Sequence, residues 1–74
     1  MTKEDKLKRI YQKILADAMI YGENYPIQMV AATYLAIAMR LYKTVLTTEE
    51  YKEMLKAILE TDVEPYEDPK KTVH

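Results

Sequence analysis

The side chains able to do chemistry in this 74-residue chain are carboxylates, amines and phenols, and little else. There is no Cys, no Ser, no Trp and no Phe, and His74 is the only His. Ser–His–Asp and Cys–His arrangements therefore cannot be built, nor can disulfides or thiolate zinc sites. A zinc ion would find only carboxylates and His74. One Gly in the whole chain leaves no phosphate-cradling loop. Paired acids do occur, at Glu49/Glu50, Glu49/Glu53 and Glu67/Asp68, but the first two fall at a helix start and the last in a tail, where acids are ordinary solvated charge. No Glu-x-x-His spacing offers a two-metal carboxylate site. The chain reads as a non-enzyme with no cofactor and no metal.

What remains is chemistry of recognition. Lys6, Arg9 and Lys13 fall on one strip of the first helix, with Lys3 and Lys8 nearby. Such a strip can neutralise phosphates, although a solvated helix face is the plainer reading and nucleic acid is not the expected partner. Arg40 stands in the middle of the most apolar helix, where a buried charge needs an acid beside it. With Lys43 and neighbouring tyrosines it could instead wall a pocket for a nucleotide-like molecule, the phenols stacking and the cations holding phosphate. Most of the seven Tyr lie on apolar stripes and read as core. Tyr21, Tyr25 and Tyr66 lie at a loop or in the tail, and are the candidates for partner contact.

These side chains are positioned by helices. Thr2 precedes Glu4 and Asp5 as an N-cap, and Leu7, Ile10, Tyr11, Ile14, Ala18 and Tyr21 recur at helical spacing. The pattern predicts a first helix over 3–21, stopped by Gly22 as a residue of positive φ. Pro26 suits the first turn of a second helix over 26–46. Thr47-Thr48-Glu49-Glu50 is a capping box, flanked by Leu46 and Tyr51 as a hydrophobic staple, and opens a third helix over 48–60. After Thr61, two prolines among acids predict an extended tail over 62–74, with Val63 and Tyr66 as its anchors. The expected fold is all-α, one domain over 1–61: two long antiparallel helices, a shorter amphipathic third, and the tail.

The second helix is apolar around most of its circumference. Its main stripe (Ile27, Val30, Ala31, Tyr34, Ile37, Ala38, Leu41, Tyr42, Val45) matches what two neighbouring helices can cover. Ala32, Leu35, Ala36, Met39 and Leu46 then remain, beside Met19 and Ile20 from the end of helix 1. A domain of this size seldom gains more than about 3–5 kcal/mol from its own core. These seven residues are therefore the expected interface of a homodimeric helical bundle.

Charge supports association too. Residues 1–13 carry five bases against two acids, a net +3, whereas residues 47–68 carry eight acids against two bases, a net −6. The whole chain is nearly neutral at −1. No apolar segment approaches the roughly eighteen residues that read as a membrane span. No signal-like apolar stretch follows the charged start, so the chain reads as soluble and cytoplasmic. The function expected is protein–protein interaction by a small homo-oligomer, as an inhibitor, adaptor or assembly element of the kind phage and viral accessory proteins supply. The alternatives are an oligomeric sponge for a nucleotide-like ligand and a nucleic-acid binder using helix 1.

Overall fold

In the computed structural model, residues 2–69 are described, and all regular structure among them is helical: α1 (Lys3–Asn24), α2 (Ile27–Val45) and α3 (Thr48–Glu60). The chain is all-α, as the periodicities require. His74 and the last residues of the expected tail lie outside the described part.

Helix α1 starts where Thr2 dictates. The Thr2 hydroxyl accepts the Asp5 N–H at 3.1 Å, and the Asp5 carboxylate accepts the Thr2 N–H at 3.4 Å. Two donors left over at the helix start are thus satisfied reciprocally. The other end differs from expectation. The helix passes through Gly22, which has no positive φ, and closes only at Tyr25, whose N–H donates to the Tyr21 carbonyl at 2.8 Å. Pro26 is the cause. A residue before proline is driven out of the helical region, and Tyr25 is extended at φ −130°, ψ 156°. Asn24 steadies the last turn by donating its side-chain amide to the Ile20 carbonyl at 3.0 Å.

Gly22 has another role. It is buried in the helix, and a Cβ built on it would stand 3.0 Å from Pro69 Cγ and 3.1 Å from Ile27 Cδ1. Glycine inside a helix costs about 1 kcal/mol relative to alanine; here the missing methyl lets a proline ring lie close to the helix backbone. Pro69 and Asp68 are half-buried, whereas Val63 and Tyr66 are exposed. The expected anchors of the tail are therefore corrected: its seat is Pro69 at Gly22.

Pro26 starts α2 with its carbonyl, which accepts from Met29 at 3.0 Å and Val30 at 3.2 Å. Only Leu46 and Thr47 separate α2 from α3. The Leu46 N–H donates to Tyr42, and the Thr47–Glu50 capping box forms in full: Glu50 N–H to the Thr47 hydroxyl at 3.2 Å, Thr47 N–H to the Glu50 carboxylate at 2.9 Å. Thr61 closes α3 twice, its N–H donating to Ile58 and its hydroxyl to Ala57. Residues 61–68 have no regular structure.

The chain divides into two units, residues 2–30 with 67–69, and residues 31–66; α2 contributes to both. The first buries Gly22 and Val30, with Leu15, Ala18, Met19 and Pro69 half-buried. The second buries Tyr51, with Tyr34, Met39, Leu46, Met54 and Leu55 half-buried. Val30, 7% exposed, and Tyr51, 9% exposed, are the buried hydrophobic side chains among the described residues.

Candidate functional site: uncovered helix faces

The small amount of burial decides where a site can be. In α1, Leu7, Ile10 and Ile14 follow i, i+3, i+7 spacing, the seam of a helix that packs against another, and Tyr21 continues it one heptad further. All four are exposed, Leu7 by 67%. The buried edge of the same helix is the adjoining strip of Leu15, Ala18, Met19 and Gly22. Asp17 interrupts the seam, and Lys6 and Lys13 stand along one edge of it.

In α2 the uncovered face runs through Ile37, Leu41 and Val45, the last 75% exposed. A shallow apolar depression is lined there by Ala38, Leu41, Tyr42, Thr44 and Val45. The i, i+4, i+8 spacing of the three aliphatic residues places them in one row along the helix. Helix α3 buries Tyr51 and leaves Ile58 and Leu59 in solvent; Leu59 at 86% and, just beyond the helix, Val63 at 77% are the most exposed large apolar side chains described.

Of the residues expected at an interface, Ile20, Ala32, Leu35 and Ala36 are exposed, and Met19, Met39 and Leu46 are half-buried. Sequence reasoning missed Leu7, Ile10, Ile14, Ile37, Leu41 and Val45 because it assigned them to stripes that neighbouring helices would cover. The periodicity that revealed these rows could not say whether anything within the chain covers them.

The polar candidates are dispersed. The expectation that Arg40 is a buried charge is corrected, since in α2 only Val30 is buried. Arg40 is exposed, so its charge stays hydrated and the reason for requiring an acid beside it disappears. Lys43 lies over the ring of Tyr51, its Nζ 5.2 Å from the centroid, a cation–π arrangement. The two residues flank an open cleft of about 390 Å³ with Leu46, Lys52 and Leu55. Arg40 does not line that cleft. Tyr21, Tyr25 and Tyr66 are all exposed, as are Lys6, Arg9 and Lys13; Arg9 shares a surface dip with Asp5, Lys8 and Gln12.

Among the carboxylates, Glu50 is pulled below its ordinary value of 4.5, first by the hydrogen bond from the Thr47 backbone and then by the Thr47 hydroxyl. Both partners favour the ionised form, which ties this acid to the cap. No group of three His, Cys, Asp or Glu side chains able to hold a metal ion occurs among the described residues. No helix there is long and apolar enough to cross a membrane.

Searches against family models, curated proteins and solved structures found no significant match to this chain. The functional reading therefore rests on the faces themselves.

Proposed function

We propose that this protein works by binding, without chemistry of its own, and that its first partner is a second copy of itself. The observation carrying this reading is that rows of large apolar side chains on α1, α2 and α3 are exposed while Val30 and Tyr51 are the buried hydrophobic residues described. Each large apolar side chain left in solvent forgoes the ~1.5–3 kcal/mol that full burial would contribute. Contiguous apolar surface on a small domain marks a place where another molecule belongs. A homodimeric helical bundle covers such rows with the same rows on a copy.

The dimer then serves as an inhibitor, adaptor or assembly element for another protein. Tyr21, Tyr25 and Tyr66 supply the exposed phenol rings that such contacts favour. The test is light scattering on a sizing column from micromolar to near-millimolar concentration. A mass twice the 8.7 kDa of one chain is expected; a single-chain mass throughout that range overturns the reading.

A further inference from the structure

Resting on the self-association reading, we infer that the exposed seam of α1 is the docking site for the acidic C-terminal part of a second copy, residues 53–64. Both surfaces carry exposed large apolar side chains, and the net charges beside them are of opposite sign. On α1, Leu7, Ile10 and Ile14 are bordered by Lys6 and Lys13, all exposed. On the other surface, Leu59 and Val63 are the most exposed large apolar side chains described, and residues 53–64 carry Glu53, Glu60, Asp62 and Glu64 against Lys56, a net −3, all exposed.

The charges also argue against α1 pairing with itself. Laid antiparallel on its own copy, the seam brings one lysine edge against the other; laid parallel and in register, it brings Asp17 against Asp17. Like charges at such edges oppose pairing. A segment of net −3 sets acids against the lysine edge in excess of its one base, Lys56. A two-fold axis would also produce the contact twice, α1 of each copy on residues 53–64 of the other, as an isologous interface requires.

The test uses two charge-reversed full-length chains. One carries Lys6→Glu with Lys13→Glu; the other carries Glu60→Lys with Glu64→Lys. In each homodimer both copies of the contact set like charges together, so dimer affinity measured by sedimentation equilibrium falls about tenfold or more. Mixed in equal amounts, the two chains form heterodimers in which both contacts have opposite charges again, and dimer mass and helicity return. Recovery on mixing is readable even if a single variant fails to fold alone. Wild-type dimerisation should also weaken as salt rises.

Three results overturn the assignment. Variants that dimerise as tightly as wild type place the interface elsewhere, while self-association itself stands. Weakened variants that do not recover on mixing remove the complementarity. A wild-type chain that stays single at all concentrations, with the reversals changing only its own stability, puts the contact within one chain and overturns the self-association reading as well.

Discussion

Gly22 shows how much one residue's meaning depends on what approaches it. A lone Gly before a loop suggests positive φ, yet here the backbone is helical and the missing Cβ accommodates Pro69. In a chain carrying Pro69→Gly, Gly22→Ala should stabilise α1 by up to about 0.5–1 kcal/mol, the ordinary helix-propensity gain, less the cost of shifting the flexible end of Ile27. In the wild-type background the new methyl must push aside Pro69, so the gain should be smaller or reversed. Denaturant titrations of the four chains measure that coupling, and equal effects in both backgrounds would show that the seat has no energetic weight. At the start of α3, Thr47→Ala should cost about 1 kcal/mol, typical of losing a cap hydroxyl. The Glu50 half of the cap depends on pH. Because its folded value lies below 4.5, its contribution is complete above the unfolded value and is lost as pH falls through the lower, folded one. Glu50→Gln should flatten that acid-side loss of stability, and an unchanged acid limb in the variant would assign the loss to other groups. The N-cap at Thr2 and the capping box at Thr47 were legible in the sequence because each is settled within four residues, though the return bond of Asp5 was not read; Gly22 was not legible either, because its neighbour lies 47 positions along the chain.

At the scale of elements, the helix ends fall within one residue of where periodicity and caps placed them, except that α1 runs three residues past its expected end at Tyr21. The rows of apolar residues were equally legible. What covers them was not, since a helical stripe has the same spacing whether it faces a neighbour in the chain, a second molecule or water. Leu41 separates these cases. It is 64% exposed, and Leu and Lys have similar helix propensity, so in an isolated chain Leu41→Lys should change stability by no more than about 0.5 kcal/mol. If assembly covers the α2 row, the same change buries a charge in an apolar interface and should weaken association by about thirtyfold or more. Arg40→Ala, on the polar strip of the same helix, should leave association within about twofold. Sedimentation equilibrium compares the two directly; equal dimer affinity for both variants would exclude the α2 row from the interface.

For the whole molecule, the charge split and the scarcity of buried side chains among the described residues have a joint consequence for how it unfolds. A self-sufficient domain of this length would melt at a temperature independent of its concentration. A chain whose apolar rows are buried only between copies unfolds and dissociates in one step, so the folded state is favoured by mass action. Each tenfold rise in protein concentration should then add about 1.4 kcal/mol to the apparent stability per mole of dimer. The melting temperature should climb steadily across a dilution series followed by circular dichroism. Added salt should lower it at fixed concentration if the +3 of residues 1–13 and the −6 of residues 47–68 attract across the interface, because screening weakens exposed charges within about a Debye length. Hydrophobic burial responds the other way, since strongly excluded salts such as sulfate reinforce it. Sodium chloride at modest concentration is therefore the discriminating salt, and sulfate the control. A melting temperature that ignores concentration would mean that one copy covers its own rows, and the faces on α1, α2 and α3 would lose their claim as sites.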